Sequence, residues 1–284
     1  MSADVRSPVD MTGYAETVAV RKTLRPLVQT FCLSVTGGAF IALGFVFCIT
    51  VTTGAGALPW GIVKLIGGIC FSLGLILIIV CGADLFTSTV LSTTALAAKR
   101  IKAPQMALNW LNVYVGNLLG ALIIVALTWY SGEASAAGGR WGLNVLATAH
   151  AKLSHTFIQA FCLGVFANLM VCLAVWMSYA GHSLLDKSLI VIAPISMFVA
   201  GGFEHCIANM FLIPLAILIR DGSGPDFWQS VGAAADHYPL LTVGNFITLN
   251  LLPVTLGNIV GGGLMVGAWN RFLFSRETAA VSGE

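Results

Sequence analysis

Charge is what this chain has least of. Lys, Arg, Asp and Glu together make up 9% of its 284 residues, against about 25% in an ordinary soluble protein. A soluble fold needs polar side chains to cover its core, and there are too few here to do so. The net charge of +2 is too small to attract nucleic acid. Paired cysteines are also lacking. Cys32, Cys48, Cys70, Cys81, Cys162, Cys172 and Cys206 stand singly inside apolar runs, without a CxxC and in odd number. That excludes a disulfide framework and leaves the thiols as small hydrophobes. The histidines show no metal-ligand spacing, so neither metal nor cofactor is expected. The polar N-terminus lacks the apolar core and small-residue cleavage site of a signal peptide and is expected to be retained. Its stretch from Met11 to Leu24 has the character of a helix lying along a membrane surface.

What is present in quantity is apolar surface, at 57% of residues, and glycine, at 31 residues. Membrane helices approach one another closely through glycine, and a spanning helix takes about 20 apolar residues. Four segments meet that length: Val28 to Thr52, Leu108 to Tyr130, Thr156 to Ala180 and Phe246 to Phe274. Two longer ones are interrupted. Ile62 to Ala98 breaks at Cys81-Gly82-Ala83-Asp84-Leu85-Phe86-Thr87-Ser88-Thr89, and Asp186 to Ile219 at Ala200-Gly201-Gly202-Phe203-Glu204-His205-Cys206. The expected fold is therefore an all-α membrane protein of six transmembrane helices. Both termini fall on the cytoplasmic side, because that choice places Arg6, Arg21, Lys22, Arg25, Lys99, Arg100, Lys102, Lys187, Arg271 and Arg276 inside. Only Lys64, Arg140, Lys152 and Arg220 are then left outside.

The two halves repeat. Gly116-Asn117-Leu118-Leu119-Gly120 in the third span returns as Gly257-Asn258-Ile259-Val260-Gly261 in the sixth, and Gly82-Ala83-Asp84 aligns with Gly202-Phe203-Glu204. Three spans per half is an odd number, so the second copy is inserted upside down, with a site expected near the midplane. The repeats are expected to cover about 28–131 and 154–274, inside a channel domain of 28–274 flanked by cytoplasmic segments 1–27 and 275–284.

Irregular backbone at membrane depth requires protein or a polar cavity to satisfy it. The half-helices that follow the breaks, Phe86 to Ala98 and Cys206 to Ile219, would point positive dipole ends at the midplane, which favours an anion there. Asp84 is expected to cap its half-helix. Glu204 is expected either to pair with Lys152 or to fix its neighbour. That neighbour, His205, is the prime functional candidate, since an ionisable residue in a midplane break can donate to an anion or carry a proton. Thr87 and Asn258 offer uncharged donors, and Asn258 is preferred to Asn117 as a pore residue. His150, His155, His182 and His237 read as solvated loop residues.

These segments resemble the formate/nitrite transporter family, and within it the bacterial formate channels. The resemblance is carried by both breaks, by 64–74, by Asn109-Trp110-Leu111-Asn112-Val113-Tyr114 and by 167–178. It spans about Pro26 to Gly267. It implies an aquaporin-like protomer in a homopentamer in the bacterial inner membrane, with one pore per protomer for formate and similar small anions. It further implies an apolar constriction at Phe71, Leu75 and Phe198, with Leu85 and Thr87 on the first break. His205 and Asn258 are the implied polar positions, and Lys152, Glu204, Asp84, Asn168 and Asn209 the supporting residues. A proton-coupled carrier with the same site is the first alternative. A membrane enzyme using Glu204 and His205 as an acid/base pair lacks a nucleophile and a metal cluster. A water channel would have to work without Asn-Pro-Ala in either break.

Overall fold

A computed structural model describes residues 5–274; the expected C-terminal tail 275–284, Arg276 included, lies outside the described residues. Those residues form helices and connections, with no strand among them. Helix α1 (Pro8–Thr23) opens on a capping box between Ser7 and Asp10, with Pro8 in the first turn and Arg21 and Lys22 in the last. Each feature suits a helix end. Then come α2 (Leu27–Thr52), α3 (Trp60–Cys81), a first half-helix made of α4 (Phe86–Thr89), a 3-10 turn (Val90–Ser92) and α5 (Thr93–Ala97), and α6 (Ala103–Tyr130). The second half runs α7 (Arg140–Leu153), α8 (Phe157–Ser178), α9 (Leu184–Ala200), a second half-helix α10 (Cys206–Gly222), short α11 (Pro225–Val231) and α12 (Val243–Phe274).

Five helices, α2, α3, α6, α8 and α12, are long and apolar enough to cross a membrane. α9, with 17 residues, occupies in the second half the place of α3 in the first. All six expected spans are thus present. The first half-helix is less regular than expected. Its Ser and Thr hydroxyls bond back to carbonyls three or four residues earlier, Ser88 and Thr89 to Leu85, Thr93 to Val90 and Thr94 to Leu91, and such back-bonding competes with the α ladder. α12 is continuous but widens into π-type turns over Phe246–Leu251 and Ile259–Ala268.

The repeat is visible atom by atom. α3 and α9 both end on a left-handed glycine, Gly82 (φ 75°) and Gly202 (φ 67°), a conformation that suits glycine because it has no Cβ. The following amides reach back to Ile78 and Phe198. Where α2 crosses α6, a side chain on Gly120 would collide with the carbonyl of Val35; where α8 crosses α12, one on Gly261 would collide with that of Val165. α1 and α7 are also counterparts, which the sequence reading did not anticipate. Each is a short amphipathic helix directly preceding the first span of its half and carrying a lysine, Lys22 or Lys152, against the acid of that half's break. The correspondence between the halves thus reaches α1 and α7, which lie before the expected repeat starts.

Candidate functional site at the two helix breaks

Backbone hydrogen bonds and two asparagines tie the breaks to the neighbouring spans. Asp84 N–H donates to Leu33 O at 3.1 Å, and Glu204 N–H to Leu163 O at 3.2 Å. Asn117 Nδ2 donates to the carbonyls of Ser34 (2.7 Å) and Asp84 (2.9 Å), while its Oδ1 accepts Phe86 N–H at 2.8 Å. Asn258 does the same in the other half, donating to Gly164 O (2.7 Å) and Glu204 O (2.9 Å) and accepting Cys206 N–H at 3.0 Å. Each asparagine therefore ties a half-helix start to the neighbouring span and gives the buried amide of Phe86 or Cys206 an acceptor. This gives Asn258 a different duty from the expected one. It is fully buried, its amide is committed to backbone, and it lines neither vestibule described below. Asp84 is not a cap either. Leu85 occupies the cap position, and the Asp84 carboxylate turns away to Lys22 Nζ at 3.0 Å and to Arg25.

Glu204 is buried completely and saturated. Its Oε1 meets Lys152 Nζ at 2.9 Å and lies 3.7 Å from His155 Nε2; its Oε2 accepts from Asn209 at 2.7 Å and Asn250 at 3.1 Å. A buried ion pair persists when hydrogen bonds fill its remaining positions. Asn250 and His155 are thus part of the site, and both escaped the sequence reading. The available signal was Asn250 itself, an amide inside an apolar span. His150 is not a plain solvated residue either: its Nδ1 is buried and its ring meets Tyr238 edge-on. Removing one partner of the pair strands the other charge, so Glu204→Gln is expected to destabilise the protein by about 3–5 kcal/mol. The Lys152→Met/Glu204→Gln double variant should recover part of that loss in thermal unfolding in detergent.

His205 caps the second half-helix. Its Nδ1 accepts from Ala208 N–H at 3.1 Å, and its Nε2 stands 2.9 Å from Thr87 Oγ1 in the first half-helix. With Nδ1 accepting, the neutral ring carries its proton on Nε2, aimed at Thr87. Thr87 is fixed in turn through its carbonyl, which accepts from Asn168 Nδ2 at 3.0 Å and Cys172 Sγ at 3.1 Å. His205 and Thr87, each a candidate from the sequence, are therefore in contact where the two half-helix starts converge.

A vestibule lies on either side of this contact. The one under α7 has a volume of about 270 Å³ and is lined by Lys64, Phe71, Lys152, Phe198, His205 and Asn209, among others. The one under α1, about 200 Å³, is lined by the corresponding residues of the other repeat, including Lys22, Ile78, Gly82 and Ser88. Between them stand Leu75, Leu85 and Thr87, which line neither and are almost wholly buried. Phe45, Phe71 and Phe198 form an edge-to-face chain, with centroid separations of 5.5 and 5.6 Å, that ends 5.7 Å from the His205 ring. Phe71 and Phe198, two of the expected apolar positions, thus lie in one aromatic chain beside His205.

Inverted helix repeats with two half-helices meeting between two vestibules define a membrane translocation protein. The comparisons make the class specific. The family described as formate/nitrite transporter matches residues 10–272, and this chain belongs to it. It is 59% identical over 274 residues to the formate channel FocA of Escherichia coli K12, covering 96% of each chain. It is 48% identical over 273 residues to the formate channel FocA of Haemophilus influenzae, again covering 96% of each. Among solved structures it superposes on a pentameric formate channel with formate bound (TM-score 0.84, 47% identity, 88% of this chain and 98% of that one). It also superposes on an FNT family ion channel (TM-score 0.78, 25% identity, 93% and 98%).

Proposed function

We propose that this chain conducts formate and similar small monovalent anions as a passive channel. It would act in the bacterial inner membrane with both termini in the cytoplasm, as one protomer of a pentamer with its own pore. The observation that carries the reading is the His205–Thr87 contact, placed where two half-helix N-termini converge between two vestibules. An anion leaving either vestibule must shed water at Phe71, Leu75, Leu85 and Phe198, a costly step for a charge. The Nε2–H of His205 and the hydroxyl of Thr87 donate to it there, and the half-helix dipoles favour its sign. A cation gains nothing from these groups. Asp84 and Glu204 do not repel the anion, because each is neutralised by its own cations.

The geometry favours donation over proton transfer. Protonating His205 at Nδ1 would break its bond to Ala208 and uncap α10. The proton-coupled carrier needs that imidazolium, so it is the second reading. A non-enzymatic role fits the saturation of Glu204, which leaves no free carboxylate to work beside His205. The test is flux and conductance of the purified protein in liposomes with formate, nitrite and hydrosulfide. A channel gives unitary currents, flux linear at low substrate and no potassium or sodium conductance. Saturation with stoichiometric proton uptake would establish the carrier instead.

A further inference from the structure

The two vestibules match in backbone but not in charge. The α7-side one contains Lys64 and Lys152, and Lys152 is committed to Glu204. The α1-side one is lined by Arg6, Arg21, Lys22, Arg25 and Lys187. Of the nearby acids, Asp84 takes up Lys22 and Arg25. Asp10 and Asp186 are turned to the helix caps at Ser7 and Ser183. Arg6 stacks on Tyr14 and donates to Tyr179 O. The Arg21 and Lys187 side chains have no hydrogen bond or ion pair with another described residue. A cavity of about 200 Å³ is thus lined by five cationic side chains against three nearby carboxylates, and the side chains of Arg21 and Lys187 have no partner among the described residues.

The opposite mouth carries a smaller excess, with Lys64 and a Lys152 that is paired to Glu204. We infer that the α1-side vestibule is a binding site for a small phosphate-bearing dianion, which occupies the mouth and obstructs formate. Guanidinium groups present forked donors suited to phosphate oxygens. Attraction grows with the ligand's charge, whereas the desolvation cost of going further grows with its square. Ile78 lines the inner part of the site, and beyond it stand Leu75 and Leu85, all buried and apolar. A dianion is therefore drawn in and stopped, while a monovalent anion goes on. Because the mouth of the other repeat carries less surplus charge, obstruction is one-sided. The effect on flux rests on the channel reading; the binding does not.

The test uses the full chain and glycerol 3-phosphate. Titration calorimetry of the purified protein should show saturable binding, weakened more than about tenfold in the Arg21→Gln/Lys187→Gln variant and weakened by added salt, whereas Lys187→Arg retains it. In proteoliposomes of defined orientation, the ligand should slow formate flux from the α1 side and leave it unchanged from the α7 side. Binding that does not saturate, binding indifferent to the double variant, or equal inhibition from both sides would overturn the proposal. So would loss of binding when neutral vesicles are replaced by vesicles containing phosphatidylglycerol, because a lipid headgroup would then hold the site. A protein that binds the ligand with this variant profile yet passes no formate would support the site and refute the channel reading.

Discussion

Replacing Asn258 with leucine is expected to loosen the second half-helix and cost about 3–5 kcal/mol in stability. The side chain is of similar size, so the loss is one of hydrogen bonds rather than volume. Cys206 N–H loses its acceptor, and the carbonyls of Gly164 and Glu204 lose a donor. A buried polar group left without a partner costs about 1–3 kcal/mol, and the two carbonyls keep a second lone pair. Asn117→Leu is expected to cost a similar amount, because Phe86 N–H and the Ser34 and Asp84 carbonyls are held in the same way. Thermal unfolding in detergent reads both. A pore role for Asn258 alone would instead give altered flux at unchanged stability, and a clear difference between the two variants.

Those two asparagines also show what sequence can and cannot say here. The spans, the breaks, the GNxxG repeat and the inversion were legible, because hydropathy and glycine spacing are local signals with a strong physical cause in lipid. The GNxxG repeat itself points to a constructional part for Asn258, which bonds as Asn117 does. A residue kept in both halves serves what both halves share, which is construction of the break. Asp84 was misread because Asp is a common helix cap, and its true partners, Lys22 and Arg25, come from a helix and a loop distant in sequence. The kinship of α1 and α7 stayed hidden since they share almost no sequence beyond Lys22 and Lys152. It emerges only from what those lysines touch. Asn250 was overlooked for a similar reason: an amide in an apolar span declares a buried partner but not which one.

Where the halves differ, function is left. His205 stands opposite Leu85 in the repeat, and Asn168 stands where α2 has Gly38. These departures supply the donor at the constriction and the bond that orients Thr87 toward it. The symmetric frame brings the two helix starts together, and on the proposed reading the asymmetric residues are what would make that meeting point selective.

The second large effect is therefore expected at His205. A hydrogen bond to a charged group is worth about 1.5–3 kcal/mol, and the anion at the constriction has little water to replace it. His205→Ala also removes the cap on Ala208, so protein levels and pentamer recovery must be matched before rates are compared. The direct measurement is formate flux into liposomes for the wild type and His205→Ala, across about pH 5 to 8, where an unperturbed histidine titrates. A fall of roughly tenfold to a hundredfold in the variant is the predicted result. Flux equal to wild type throughout that range would contradict a pathway selected at His205.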